Sequence, residues 1–211
     1  MIEGIIFDLD GTLWNTLEET FLTVNEVADK YKIDEISEET IKNGMGFSNS
    51  ELAEKYMPKI KRDDREKIFR EMTRNNVNYL NKTGGKLYPK VKETLEDLSF
   101  KYKLFIVSNC GAGYIESFLE SNSLEYLFKD FIAASRANIS KTEAINRLKD
   151  EYNLKNVVYV GDTLGDYEYA TRAKVPFVHA KYGFNENLEC RYKIDRFEEL
   201  PECLEKVEED L

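Results

Sequence analysis

Two aspartates at the end of a short apolar run are the first candidates for chemistry in this sequence. The run covers residues 5–7, and Asp8 and Asp10 follow it with one leucine between them. An apolar run of this length is typical of a buried strand. Two carboxylates this close together at the end of such a strand are costly unless a positive group neutralises them. We therefore interpret Asp8 and Asp10 as candidates for metal binding and catalysis.

The stretch from Asp8 onward has two other interpretations, a hairpin turn and a calcium loop. Asp10 is followed by Gly11, a common turn signal, so the stretch taken alone could be a plain hairpin turn. A calcium loop beginning at Asp8 would place Glu19 at its twelfth position, where such loops carry an acid. We set the calcium loop aside because its sixth position, which requires glycine, is Leu13, and because a strand rather than a helix precedes it.

The composition indicates a globular protein with one good core, or a core domain and a smaller one. Of the 211 residues, 42% are hydrophobic and 33% are charged, and the net charge of −10 argues against nucleic acid or an anionic membrane as partner. Three widely spaced cysteines suggest neither a disulfide framework nor a zinc site. Because we find neither a signal peptide nor a run of about 18 apolar residues, we expect a cytoplasmic protein.

Residues 14–83 have the periodicity of helices, and we call this stretch the helical insertion. Thr16 with Glu19, and Ser48 with Glu51, have the spacing of capping boxes. Four residues repeat at helical spacing on one side of the last helix: Ile68, Met72, Asn76 and Leu80. The glycine pair at 84–85 ends that helix. We predict that roughly residues 14–83 form a helical insertion with no clear strand.

One connection inside the helical insertion is a candidate for substrate contact. It contains two glycines and two large apolar residues, namely Gly44, Met45, Gly46 and Phe47. A connection of this kind between helices could reach a substrate bound outside the insertion, although glycines are also common in ordinary helix connections. We predict that this segment helps to select the substrate.

From residue 87 onward, strands alternate with helices. The apolar runs at 104–107, 131–134, 157–160 and 176–178 predict strands, and amphipathic stretches lie between them. This alternation predicts an α/β fold whose mostly parallel sheet has helices on both faces. Because ligands in such sheets bind at the carboxyl ends of the strands, residues that follow the strands are candidates for the site.

Five further polar residues fall at that edge or near it. Ser108 and Asn109 follow the second strand, Asp162 follows the fourth, and Asp166 and Lys141 each lie in the first turn of a helix. Taken singly, each has an ordinary explanation as a cap, a turn residue or a surface lysine. Converging acids, however, require a cation, and oxygen ligands favour Mg²⁺. The metal and Lys141 together would offset the acids and bind a phosphate.

These residues resemble the four ordered motifs of the haloacid dehalogenase-like phosphohydrolases. The matching segments are residues 8–12, residues 107–109, Lys141 and residues 161–166, and residues 87–89 and 182–184 are similar to the phosphoglycolate-phosphatase-like branch. The resemblance covers the whole chain. It implies a Rossmann-like core formed by residues 1–13 and 84–211. It also implies that residues 14–83 form an α-helical cap of the C1 type.

The resemblance also implies a role for each matching residue. Asp8 would be the nucleophile that forms an aspartyl phosphate, and Asp10 would be the general acid and base. Ser108, Asn109 and Lys141 would hold the phosphate. The metal site would involve Asp8, the Asp10 carbonyl and Asp162, with Asp166 ligating through water or orienting Lys141. These roles imply a Mg²⁺-dependent phosphatase that acts on a small phosphorylated metabolite.

Three alternatives remain for the activity. A phosphomutase resembling β-phosphoglucomutase would have a similar core and cap, but the helical insertion lacks the histidine typical of those enzymes. A dehalogenase would lack the second acid that Asp10 supplies. A non-catalytic binding protein on this fold would be expected to have lost Asp8, Asp10 or Lys141, and all three are present. The pattern leaves the leaving group and the choice between monomer and homodimer open.

Overall fold

A six-stranded parallel sheet forms the centre of the molecule. The structure is a computed structural model that describes residues 1–185 and 187–211. The strands lie in the order β5-β4-β1-β6-β7-β8, and every neighbouring pair is parallel. Their bounds are β1 Gly4–Phe7, β4 Lys103–Ser108, β5 Phe128–Ala133, β6 Val157–Gly161, β7 Phe177–Ala180 and β8 Tyr192–Ile194. The prediction of an α/β fold with a Rossmann-like parallel sheet is therefore confirmed.

The strand β1 lies between β4 and β6 and is buried along its whole length. Ile6 pairs with Phe105 on one side and with Tyr159 on the other. Because successive side chains of a strand point to opposite faces, Ile5 and Phe7 pack into one hydrophobic cluster and Ile6 packs into another. Burial on both faces explains why β1 is an uninterrupted apolar run rather than an alternating one.

Helices cover both faces of the sheet. One cluster contains apolar residues of α5 Val91–Ser99, α6 Tyr114–Asn122 and α10 Leu200–Glu209, and the other contains those of α8 Lys141–Glu151 and α9 Leu164–Arg172. A four-residue helix, α7 Ala134–Ala137, follows β5. The helices α8 and α9 each begin at a complete capping box, with Ser140 and Thr163 as the capping residues. These caps fix the two helix starts beside the carboxyl edge of the sheet.

Four helices lie in the helical insertion and pack around a third cluster, which includes Val24, Ile41, Tyr56 and Met72. Their bounds are α1 Leu17–Lys30, α2 Glu38–Lys42, α3 Asn49–Tyr56 and α4 Arg62–Thr83. The Ser48–Glu51 capping box is present at the start of α3.

The prediction that the insertion contains no strand is wrong at its first two residues. The strand β2 Trp14–Asn15 pairs antiparallel with β3 Lys86–Leu87, and the pair forms a short ribbon. A strand of two residues is too short to produce an alternating pattern, which explains why periodicity did not reveal it. The ribbon brings the two ends of the helical insertion together.

Among the residues that the structure describes, no helix combines the length and the apolar character that crossing a membrane requires.

Candidate active site

A buried lysine joins two of the predicted aspartates. The Nζ atom of Lys141 lies 2.6 Å from Oδ1 of Asp8 and 2.7 Å from Oδ1 of Asp166, and all three side chains are almost fully buried. Burial disfavours the lysine's charge, but the carboxylates of Asp166 and Asp8 outweigh it and raise the pKa of Lys141 well above its usual value. Lys141 is therefore a fixed cation, held at the carboxyl end of β1.

Local sequence explains how a lysine reaches this position. Ser140 caps α8, and its side chain and that of Glu143 satisfy each other's backbone N–H groups. Lys141 is the first residue of the helix, where a cation opposes the helix dipole. The two carboxylates that contact Nζ compensate for this placement. The placement of Lys141 therefore lowers the stability of α8 and puts a positive charge in the site.

A third acid, Asp162, completes a carboxylate cluster. Carboxylate oxygens of Asp8, Asp162 and Asp166 all lie within 4.8 Å of one another. Burial and the charges of Asp166 and Asp8 raise the pKa of Asp162 well above its usual value, and burial likewise raises that of Asp8. One lysine cannot balance three buried acids, so this oxygen donor set fits a divalent cation.

The backbone approaches Asp162 closely on two sides. The N–H of Phe184 donates to Oδ2 of Asp162 over 2.7 Å. A Cβ atom on Gly11 would lie 2.2 Å from the same oxygen, and one on Gly183 would lie 2.4 Å from Cβ of Asp162. Gly11 also has a φ of +84°, a conformation that favours glycine. These close contacts fix the orientation of the Asp162 carboxylate.

Asp166 uses both carboxylate oxygens within the protein. Its Oδ1 accepts from Lys141 and, over 3.2 Å, from the hydroxyl of Tyr159. Its Oδ2 accepts from the hydroxyl and the backbone N–H of Thr163, over 2.6 and 3.1 Å. This arrangement suits a residue that orients Lys141 better than one that binds a metal directly.

Asp10 stands apart from the carboxylate cluster and is held by two hydroxyl groups. Its Oδ1 accepts hydrogen bonds from Thr16 over 2.9 Å and from Tyr114 over 2.8 Å. Burial raises the pKa of Asp10, whereas these two hydrogen bonds lower it. The Asp10 side chain is partly exposed and lines a cavity that Asp8 also lines.

The predicted capping box at Thr16 is wrong, because the Thr16 hydroxyl donates to Asp10 instead. Thr16 is the capping residue of α1, but its side chain makes no hydrogen bond to the helix backbone. Its hydroxyl instead contacts Asp10 and Tyr114. The tertiary partner prevails because a hydrogen bond to a carboxylate is stronger than one to a neutral backbone group.

Ser108 and Asn109 lie at the end of β4 and line the same cavity as Asp8 and Asp10. The side-chain amide of Asn109, however, donates to the backbone carbonyl of Gly46 over 2.8 Å. The carbonyl of Asn109 accepts from Ser135. The Asn109 side chain thus connects the sheet to the helical insertion.

The cavity has a volume of about 90 Å³ and lies between the carboxyl edge of the sheet and the helical insertion. Met45, Gly46 and Phe47 of the predicted segment line it, whereas Gly44 does not. A Cβ atom on Gly44 would lie 2.6 Å from the side chain of Leu52, so this glycine allows close packing inside the insertion. The structure therefore brings three of the four predicted segment residues to the site.

Several contacts in the site were not predicted from the sequence. Thr16 and Tyr114 hold Asp10, Tyr159 and Thr163 hold Asp166, and Asn76 lines the cavity. Thr163 had a usable signal, because it stands three residues before Asp166 in the spacing of a capping box. Tyr114, Tyr159 and Asn76 lie on helices or strands where packing is the ordinary role, and Thr16 stands at a helix start where capping is the ordinary role.

Comparison with known proteins agrees with this geometry. The model of the family described as haloacid dehalogenase-like hydrolase matches residues 5–180. A phosphoglycolate phosphatase of Haemophilus influenzae is 26% identical over 194 residues, which cover 86% of this chain and 87% of that one. One of Aquifex aeolicus is 27% identical and covers 85% of each chain. The crystal structure of a predicted phosphoglycolate phosphatase from Haemophilus somnus superposes with a TM-score of 0.83 at 26% identity, covering 96% of this chain and 98% of that one.

The chain belongs to the haloacid dehalogenase-like hydrolases. Within that family its relatives lie in the phosphoglycolate-phosphatase-like branch, and the chain is a phosphatase. The resemblance found in the sequence motifs is thereby confirmed.

Proposed function

We propose that the protein is a Mg²⁺-dependent phosphatase that hydrolyses a small phosphorylated metabolite in the cytoplasm through an aspartyl phosphate on Asp8. We also propose the division into a core of residues 1–13 and 84–211 and a cap of residues 14–83. The observation that carries the proposal is the pair of short contacts from Lys141 Nζ to Asp8 and Asp166. They place a fixed cation beside a carboxylate that opens onto the cavity.

Asp8 is the proposed nucleophile because of its position and its environment. Its carboxylate lies in the cavity, and its Oδ1 contacts Lys141. A carboxylate oxygen of Asp8 attacks phosphorus, and the bond between phosphorus and the leaving-group oxygen breaks. Lys141 and Ser108 stabilise the charge on the phosphoryl oxygens during this transfer.

Asp10 is the proposed proton carrier. Both hydroxyl groups that donate to it in the described part of the chain contact Oδ1. Oδ2 can therefore exchange a proton with the substrate. Protonated Asp10 gives its proton to the leaving-group oxygen in the first step. In the second step it takes a proton from the water that attacks phosphorus, which releases phosphate and restores Asp8.

The oxygen donors around Asp8 support one proposed metal site. Asp8, the Asp10 carbonyl and Asp162 would hold Mg²⁺, and Asp166 would keep Lys141 in place. When bound, the ion supplies positive charge to the phosphate. Oxygen donors, partly from carboxylates, are the ligands that Mg²⁺ prefers.

Amide variants of the two aspartates test this assignment. Asp8→Asn removes the attacking carboxylate and is expected to abolish phosphoryl transfer. Asp10→Asn keeps the nucleophile, and an aryl leaving group departs without being protonated. Hydrolysis of the aspartyl phosphate still requires the base and is expected to slow by roughly 10²–10⁴-fold. Rapid mixing of Asp10→Asn with 4-nitrophenyl phosphate should therefore give a burst of up to one phenolate per site.

Mass spectrometry of the quenched Asp10→Asn protein locates the phosphate. We expect phosphate on Asp8 and none on Asp162, and we expect Asp8→Asn to remain unmodified under the same conditions. Phosphate on Asp8→Asn would show that the nucleophile lies elsewhere. Wild-type turnover by Asp10→Asn would exclude Asp10 as the acid and base.

A further inference from the structure

The cavity above Asp8 is lined on the insertion side by uncharged residues. Seven of them are apolar or aromatic: Val24, Met45, Phe47, Leu52, Tyr56, Phe69 and Met72. Asp8 lies on the sheet side of the cavity and would attack the phosphorus there. The leaving group of a bound phosphate ester would therefore lie against the side chains of the insertion. Apolar walls favour carbon-bound hydrogens over charged groups.

Positive charge is absent from the described lining of this cavity. The charged residues that line it are Asp8 and Asp10, and both are acidic. Lys141 lies below them and is engaged by Asp8 and Asp166. The proposed Mg²⁺ would be engaged by Asp8, Asp162 and the phosphate, so a leaving group with its own carboxylate would have no lysine or arginine of the described lining to pair with, which is costly in a buried site.

The start of α3 does not supply the missing charge. Ser48 caps this helix, and the carboxylate of Glu51 accepts from the backbone N–H and the hydroxyl of Ser48, over 2.8 and 2.6 Å. The N–H of Asn49 donates to Ser135. The protein's own acid thus already occupies the positive end of the helix dipole.

One residue that lines the cavity has a buried polar atom without a partner. Asn76 is 8% exposed and lines the cavity, and its Nδ2 donates to the hydroxyl of Thr20 over 3.2 Å. Its Oδ1 is buried and has no hydrogen-bond partner among the described residues. A buried acceptor without a donor costs about 1–3 kcal/mol. A substrate hydroxyl in the cavity would remove this cost.

We propose that the substrate is the phosphate ester of a small uncharged alcohol that carries a second hydroxyl group, and that this hydroxyl donates to Oδ1 of Asn76. The proposal rests on the phosphatase function proposed above and specifies its substrate class. The proposed substrate differs from phosphoglycolate, which the names of the relatives contain. Phosphoglycolate carries a carboxylate where the proposed substrate carries its second hydroxyl group. Asn76 is then a specificity-determining residue of the helical insertion.

Three esters of nearly equal size test the proposal. 2-Hydroxyethyl phosphate has the second hydroxyl, ethyl phosphate lacks it, and 2-phosphoglycolate replaces it with a carboxylate. We expect kcat/KM for 2-hydroxyethyl phosphate to exceed that for ethyl phosphate and to exceed that for 2-phosphoglycolate by at least about tenfold. Each ester is also measured as a competitor of 4-nitrophenyl phosphate hydrolysis, so that a poor substrate still gives an inhibition constant.

Asn76→Leu tests the contact itself. This variant removes the acceptor at similar size, so the preference for 2-hydroxyethyl over ethyl phosphate should disappear while hydrolysis of 4-nitrophenyl phosphate continues. The matched control is Asn75→Leu, because the Asn75 side chain contacts Thr23 and Glu26, outside this cavity. The control should keep the wild-type preference. If Asn76→Leu does not fold, the wild-type ranking of the three esters decides alone.

The outcomes separate this proposal from the one on which it rests. If 4-nitrophenyl phosphate is hydrolysed but 2-phosphoglycolate equals or exceeds 2-hydroxyethyl phosphate, the substrate class is wrong and the phosphatase function stands. An unchanged preference in folded Asn76→Leu would overturn the role of Asn76. Loss of all hydrolysis in the wild type would overturn both proposals.

Discussion

The hydroxyl of Tyr114 donates to Oδ1 of Asp10 over 2.8 Å, and this oxygen also accepts from Thr16. Tyr114 is the first residue of α6, the helix that follows β4, and β4 is the neighbour of β1 in the sheet. The ring packs edge-on against Trp14, with centroids 5.4 Å apart. Packing therefore holds the ring in place, independently of its hydroxyl group.

Tyr114→Phe should lower kcat by about tenfold and leave the fold intact. The variant removes one of two hydrogen bonds to a carboxylate, each worth about 1.5 kcal/mol or more, and keeps the aromatic packing. The measurement is steady-state hydrolysis of an alkyl phosphate, whose leaving group requires a proton. Tyr126→Phe is the control, because Tyr126 is exposed and bonds to Glu96 on the surface. Equal rates for both variants would show that Tyr114 does not position Asp10.

Activity should require Mg²⁺, because Asp8, Asp162 and Asp166 cluster with one lysine between two of them. Excess EDTA should stop turnover, and Mg²⁺ should restore it. Calcium should bind and inhibit, since its larger and more flexible coordination misplaces the nucleophile. Phosphate release is measured in each condition. Full turnover in excess EDTA would contradict the metal requirement.

Phe47→Ala should change the ranking of substrates more than the rate with a small generic phosphate ester. Phe47 lines the cavity from the helical insertion, and its ring also lies 5.2 Å from Nζ of Lys55. The measurement is kcat/KM across a panel of phosphate esters. Phe100→Ala serves as the control because Phe100 is 88% exposed at the end of α5. If kcat/KM fell by the same factor for every ester, the segment of residues 44–47 would only connect two helices and would not select the substrate.

Gly11→Ala should destabilise the fold and impair metal binding together. The left-handed backbone at Gly11 costs alanine about 1–2 kcal/mol, and the added Cβ would displace the carboxylate of Asp162. We expect a lower Tm and a higher Mg²⁺ concentration for half-maximal activity. Gly165→Ala is the matched control, since its Cβ would meet its nearest neighbour at an ordinary 3.6 Å. An unchanged Mg²⁺ requirement in Gly11→Ala would contradict this account of Asp162.

The site residues whose position follows from strand ends are predictable from the sequence. Asp8, Ser108 and Asp162 all follow buried apolar runs, and parallel strands bring their carboxyl ends to one edge. Lys141 was identifiable because its place at a helix start is unfavourable without a negative partner. In each case a local pattern and a general rule of sheet topology are sufficient.

The remaining contacts depend on distances that no local pattern encodes. Thr16 has the spacing of a helix cap, and only the approach of Asp10 and Tyr114 diverts its hydroxyl. Asn76 falls on the predicted buried side of α4, where the pattern indicates packing. Its unpaired oxygen becomes visible only when Thr20, 56 positions earlier, takes its amide hydrogen. Such long-range pairings require the folded structure.

The ribbon of Trp14–Asn15 and Lys86–Leu87 also affects how the chain can fold and diverge. Because the chain leaves and returns at adjacent positions, the helical insertion is topologically a single closed loop on the sheet. The entropy lost in closing a loop grows only with the logarithm of its length, about 0.6 kcal/mol for each doubling. Lengthening or exchanging the helices between these strands would thus leave the pairing of β1 with β4 and β6 unchanged. Substrate preference can therefore evolve in the insertion while the strand pairing that brings Asp8, Ser108 and Asp162 to one edge of the sheet is retained.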